Sequence, residues 1–311
     1  MVPILILCAF ATTGQQTSSL DEMEKKVEAL RKAKPLDFNA IFQINEDIFK
    51  MAETNQISTP KDFIRASNLI SDLRIRFETS RVKHELCLAA LASGDAQART
   101  DIKKTWDAFI ISTGREQHIG SYTVSDSPRY RVSPAPKSIL NLMSDPDKAV
   151  SAAKVAKDDE EVTQIWTDDQ NVRKQDWSKL TPEQTKEINK ADRERLARMI
   201  QLLEAGRVVT AEDFSHASLV LQHGATWNDY ALAHELAICS LLLGNVGWAN
   251  LAAVTYDRML LSGGYRQRFG TQYTKFANSP KTLDPFDSTG IGDAERKALN
   301  CPTLESAKNQ K

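Results

Sequence analysis

The residues able to do chemistry gather in the second half of the chain. The stretch Tyr256 to Tyr273, YDRMLLSGGYRQRFGTQY, sets Asp257 and Arg258 inside an apolar helical pattern and ends in a glycine-spaced polar segment. Asp169, Gln170 and Arg173 lie in QIWTDDQNVR, Asp192, Arg193 and Arg195 in ADRER, and Gln222 and His223 adjoin further on. An arginine on an apolar helix must pair with an acid or hold a ligand, because a bare buried charge is costly. One reading is a polar pocket between helices, lined by Arg193, His223, Asp257, Arg258 and Gln272. Arg193, Arg258, Gln272, Gln222, Asp169 and Arg173 would there bind a small anion or a peptide. In a hydrolase-type version of that pocket, His223 and Asp257 are the acid/base candidates and the arginines clamp an anionic group. The opposing reading is an internal network of Asp–Arg pairs and amides that only fixes helix packing.

Other chemistries find less support. His216, His223 and His234 fall within nineteen residues, but His216 and His223 are two turns apart and HExxH is absent, so no metal site is expected. Gly-x-Ser-x-Gly does not occur, and Cys87 and Cys239 sit in apolar helical stretches as small core residues. STGIGDAE, around Gly290, follows no strand, so no nucleotide loop and no cofactor are expected. A net charge of −1 gives no field to recruit nucleic acid. No stretch approaches the roughly 20 apolar residues of a membrane span, so no integral membrane segment is expected. A protein partner stays open.

The elements that must position these residues are helices. Apolar residues recur at three- and four-residue spacing in LDEMEKKVEALRKA, KDFIRASNLISDLRIRF, KHELCLAALAS, DYALAHELAICSLLLG and WANLAAVTYDRMLLSGG, which predicts an all-α array of helix pairs. The stretch from Ala231 to Leu260 looks like a tetratricopeptide-type pair. Thr59 and Thr210, each followed three residues later by an acid, are expected N-caps. Residues 20–120 read as a degenerate N-terminal helical repeat and 161–276 as a C-terminal helical domain. Between them, 121–160 is Pro/Ser-rich and reads as a linker; 277–311 reads as a polar tail, poorly ordered beyond Asn300.

Ile57–Gly120 laid over Val208–Gly270 aligns Thr59 with Thr210, His84-Glu85-Leu86 with His234-Glu235-Leu236, Asp107 with Asp257 and Gly120 with Gly270, with one single-residue gap. The colinear set reads as an internal duplication with a period of about 150 residues. Shared residues are then scaffold, and His234, matched by His84, is expected as a hydrogen-bonded core histidine. Residues particular to the second copy are the site: Asp192, Arg193 and Arg195 replace Ile41, Phe42 and Ile44, Gln222 replaces Ser71, Arg258 replaces Ala108 and Gln272 replaces Tyr122. Arg193 is the expected partner of Asp257. Asp107, without such a neighbour, is expected in solvent or capping backbone.

The ordered set Asp169-Gln170-x-x-Arg173, Asp192-Arg193, Gln222-His223, Asp257-Arg258 and Gly270-Thr271-Gln272 resembles a bacterial domain family of unknown function, over residues 162–273. The resemblance implies a shared polar site and attaches no chemistry to it. At the N-terminus a short apolar run ends in Ala9-Phe10-Ala11, a small-x-small pattern that reads as a signal segment over residues 1–11 and an exported, periplasmic or extracellular protein.

Overall fold

The structure is a computed structural model that describes residues 19–71, 75–123, 130–275 and 281–309. Helices make up 67% of the chain and no strand or sheet forms among the described residues, so the fold is all-α. The first half holds α1 (Leu20–Lys32), α2 (Phe38–Glu53), α3 (Pro60–Leu69), α4 (Phe77–Ala92) and α5 (Ala96–Ser112). Two short helices follow, α6 (Lys137–Ser144) and α7 (Pro146–Ala153). The second half holds α8 (Glu160–Arg173), α9 (Pro182–Ala205), α10 (Ala211–Leu221), α11 (Trp227–Leu242) and α12 (Ala249–Ser262). The chain closes with α13 (Asp293–Ala298) and α14 (Leu304–Lys308). The expected signal segment, residues 1–11, lies outside the described residues.

Capping sets the helix starts. The Thr59 hydroxyl accepts the Asp62 N–H at 3.1 Å, and that of Thr210 accepts the Asp213 N–H at 3.0 Å, as their spacing predicts. Pro60 fills the first turn of α3, where no N–H is needed. α9 ends at Gly206, whose φ of 75° is left-handed backbone that a glycine adopts without strain. Packing follows the same order in each half: α3 lies on α4 and α4 on α5, then α10 on α11 and α11 on α12. α1 packs against α2 and α3, as α8 does against α9 and α10.

The halves meet along α4 and α11. His84 and His234 are both fully buried, and their Nε2 atoms are 3.1 Å apart. The Ala252 carbonyl, 2.9 Å from His234 Nδ1, places that ring's proton on Nδ1, so His84 Nε2–H donates to His234 Nε2. Burial pushes both imidazoles down, His84 well below its ordinary value and His234 to about 3, so both are neutral at neutral pH. Each ring also reaches a threonine of its own half, Thr105 or Thr255, at 3.3 Å.

Around this contact each half supplies a buried glutamate that takes its side-chain donors from the other half. Glu85 receives Nε and Nη2 of Arg268, both at 2.8 Å. Glu235 receives Trp106 Nε1 at 2.8 Å together with His118 Nδ1. Such i-to-j and j-to-i exchange is the pattern of an isologous interface.

Three expected segments differ. KDFIRASNLISDLRIRF does not run as one helix: α3 stops at Leu69, and the Ser71 N–H is held by the Asn45 side chain at 3.1 Å. The expected linker, 121–160, contains α6 and α7, and α6 buries Ile139, Leu142 and Met143 against α9 and α11. Proline there starts helices rather than excluding them. The expected polar tail belongs to the body, since α13 packs on α4 and α14 follows it. Its polar residues turn inward: buried Arg296 donates to the carbonyls of Phe269 and, at 3.1 Å, Arg268. A Cβ on Gly292 would stand 2.3 Å from the Ala52 carbonyl oxygen, so only glycine fits that approach.

Candidate functional site

α8 and α9, the turn from α10 into α11, α12 and the loop after it bring most of the second-half polar residues together. Asp169 and Arg173 are one turn apart on α8, hence on one face, and their side chains meet at 3.0 Å. Arg173 also reaches Asp192 of α9, at 2.9 Å, and Asp192 takes Arg195 from the next turn of its own helix. Asp169 further accepts Gln170 Nε2 at 3.0 Å and His223 Nδ1 at 2.9 Å. Burial raises the Asp169 carboxyl, but the hydrogen bond from His223 and the pairing with Arg173 outweigh it and hold the group below its ordinary value. An ionised Asp169 can only accept, so the His223 proton toward it sits on Nδ1 and Nε2 is left as the basic atom.

Arg258 joins from α12. Its Nη1 donates to the Gln222 carbonyl at 2.7 Å and its Nε to Gln272 Oε1 at 3.1 Å. Gln272 is oriented in turn by the Thr271 hydroxyl, at 3.0 Å. Both acceptors of Arg258 are neutral, and among the described residues no carboxylate pairs with it. The side chain is half-buried; burial pulls its guanidinium below the ordinary value, and the nearby Arg173 charge pulls the same way. Three guanidinium groups, of Arg173, Arg195 and Arg258, thus face two carboxylates, of Asp169 and Asp192, and one positive charge is uncompensated. Gln222 Oε1, Arg173 Nε and Arg195 Nε are buried and without hydrogen-bond partners among the described residues. Arg173, Arg258, His223, Gln222, Gln272 and Asp169 are therefore placed in one connected cluster.

Two expected members do not join. Arg193 is exposed on α9, because Asp192 and Arg195 share the face toward α8 and Arg193, one residue on from Asp192, is turned about 100° from it. Asp257 is fully buried and turned to the following loop. It accepts the N–H groups of Arg268, Phe269 and Thr271 at 2.7, 2.9 and 2.9 Å, and the Thr271 hydroxyl at 2.8 Å. Burial raises its carboxyl above the ordinary value while these four bonds oppose the rise. Asp257 thus pairs with neither Arg193 nor His223, and its oxygens are occupied in holding the loop that presents Gln272. Asp107 does the same in the first half, accepting the N–H groups of His118, Ile119 and Ser121 at 3.0, 3.0 and 2.8 Å, as its expected backbone-capping role requires.

Asp192 and Arg195, two of the charged residues particular to the second copy, belong to the cluster as an i, i+3 pair. Tyr230, whose hydroxyl donates to the Gly224 carbonyl at 2.8 Å, braces the turn that carries Gln222 and His223. The three neighbouring histidines go to separate surroundings. His216 stacks on Trp166 with ring centroids 3.9 Å apart, His223 meets Asp169, and His234 meets His84. Cys87 and Cys239 are buried core thiols; burial pushes Cys87 up to about 12 and Cys239 well above its ordinary value.

Comparison with known protein families, with curated proteins and with solved structures finds no match.

Proposed function

We propose that the second half of this chain is a binding module for a small anionic ligand or an anionic peptide group, held at Arg258. The observation that carries this reading is the half-buried Arg258 guanidinium, bonded only to neutral acceptors with the Arg173 charge nearby. A buried cation of that kind needs a counter-charge, and an anion at Arg258 supplies it with charge-assisted hydrogen bonds. The residues concerned also lie in the ordered pattern through which residues 162–273 resemble a domain family of unknown function. Their first-half counterparts, Ala108 and Tyr122, carry no charge, which fits two copies of one helical unit of which one is specialised.

The test is a thermal-shift series with phosphate, sulfate, acetate and a tripeptide with a free C-terminal carboxylate. At least one should raise the melting temperature of the wild-type chain, since a ligand that binds only the native state stabilises it. The gain should vanish in Gln272→Ala. A series with no shift at any concentration up to tens of millimolar refutes the reading.

His223 favours a second reading, in which the site also acts on what it holds. Asp169 fixes the ring with Nδ1–H toward the carboxylate and leaves Nε2 as a base beside the arginines. Hydrolysis of a chromogenic phosphate or carboxylate ester that is lost in His223→Gln would support it; no turnover by the wild-type chain would remove it. Export is part of the same proposal and rests on the apolar run ending in Ala9-Phe10-Ala11. N-terminal sequencing of native protein should find Thr12 first, and an intact Met1 on cytosolic protein would overturn it.

A further inference from the structure

The first half carries a concavity of another kind. Two adjoining clefts, of 630 and 500 Å³, open beside α1, α2 and the start of α4, and both are walled by Ile41, Asn45 and Ser71. Their volumes fall in the range of small-molecule pockets, about 300–1,000 Å³. Phe38, Phe42 and Phe49 line the larger cleft; Leu30, Leu36, Ile44 and Leu69 are among the residues lining the smaller. Asn45 adds little polarity there, because its Oδ1 already holds the Ser71 N–H at 3.1 Å. Leu36 and Phe42 remain 39% and 56% exposed at the cleft, and grouped apolar side chains of this size in contact with water mark a binding surface.

Charge is distributed unevenly along the concavity. Arg31, Lys83 and Lys104 stand on the smaller cleft with no acid among the described residues that line it, whereas Glu46, Arg76 and Glu78 stand on the larger. In the sequence register, Ile41, Phe42, Ile44 and Ser71 occupy the places of Asp192, Arg193, Arg195 and Gln222. The positions that carry charge in the second half carry hydrocarbon in the first.

We infer that the first half binds a single-chain anionic amphiphile, with its hydrocarbon in the two clefts and its carboxylate at Arg31 and Lys104. A small anion would leave the aliphatic walls unused, and a neutral hydrocarbon would leave the cations unused. A single-chain anionic amphiphile, of which a long-chain carboxylate is the simplest, matches both. This site is separate from Arg258 and stands whether or not an anion binds there.

The probe is dodecanoate below its micellar concentration, titrated calorimetrically into the full chain, with dodecanol as the uncharged control. Dodecanoate should bind more tightly than dodecanol. Ile41→Asp with Phe42→Arg, which installs the second-half residues at a half-buried and an exposed position, should weaken both compounds by about ten-fold or more. Phe42→Arg alone makes the same test should the double variant fail to fold. Lys104→Glu should weaken dodecanoate several-fold and leave dodecanol unchanged. The inference is overturned if dodecanoate does not bind, or if it binds no better than dodecanol and ignores Lys104→Glu. It is also overturned if Arg258→Ala abolishes dodecanoate binding, which would move that ligand to the second half.

Discussion

Arg268→Met isolates the ion pair that joins the halves. The Arg268 side chain is 0% exposed and that of Glu85 is 1%, so neither charge has water to fall back on. Arg268 grips both Glu85 oxygens at 2.8 Å and also donates to the carbonyls of Asp287 and Thr289, at 2.7 and 2.5 Å. Methionine keeps most of the hydrocarbon stem and removes every donor, leaving Glu85 buried opposite an apolar side chain. Breaking one side of such a pair costs about 3–5 kcal/mol, whereas replacing both sides with apolar residues is often neutral. Glu85→Leu/Arg268→Met should therefore recover most of the loss, less about 1–2 kcal/mol for carbonyls left without a donor. Urea unfolding followed by tryptophan fluorescence reads both variants, and Trp106 reports from the junction itself. The reciprocal variant His118→Leu should cost less, because His118 is 18% exposed and water can reach Glu235 in its place. A loss below about 1 kcal/mol for Arg268→Met, or a double variant no more stable than the single one, would refute the assignment of this pair as the closed joint of the fold.

Asp257→Ala should cost at least about 3 kcal/mol by urea unfolding, since it strands three N–H groups, two of them buried, and Asp107→Ala should cost less, since the three it strands are half-buried; a mild Asp257→Ala variant that binds no anion would restore Asp257 to the site. Glu295 is fully buried, and burial, with the Glu85 charge adding to it, raises its carboxyl to about 7 from an ordinary 4.5, against its backbone bonds. Its contribution to stability is complete below about pH 4.5 and is lost as pH rises through 7, a span of roughly 3 kcal/mol. Glu295→Gln should flatten that decline, so that it equals the wild type near pH 5 and exceeds it near pH 8; parallel curves would count against the raised value. Gly292→Ala should destabilise by about 1–3 kcal/mol or more, because its methyl group meets the Ala52 carbonyl, and a neutral melting curve would mean that Gly292 does not approach that carbonyl as described.

Helix class, caps and the burial of His84 and His234 could be read from spacing alone, because they depend on residues within a turn or two of each position; that the two rings meet across 150 residues could not. Asp169 with Arg173, and Asp192 with Arg195, are likewise one-turn pairs and were legible. The choice between Arg193 and Arg195 was not, since it turns on which side of α9 faces α8. Asp257 misled for another reason: its partners are not Arg193 but backbone amides of the following loop, which carry no sequence signature. The ion pair Arg268–Glu85 spans 183 residues and only exists once the halves have packed. In the tail, Glu295 and Arg296 looked like solvent-facing charges, yet both are buried as hydrogen-bond partners of the core.

The central claim is that Arg258 carries a charge meant for a ligand, and calorimetric titration of phosphate and acetate into wild-type and Arg258→Ala chains tests it most directly. The structure predicts one anion per chain, weakened by added salt and lost in Arg258→Ala, with unfolding free energies that differ by no more than about 1 kcal/mol. No heat from either anion, together with an Arg258→Ala variant destabilised by several kcal/mol, would contradict it and make the cluster a packing network.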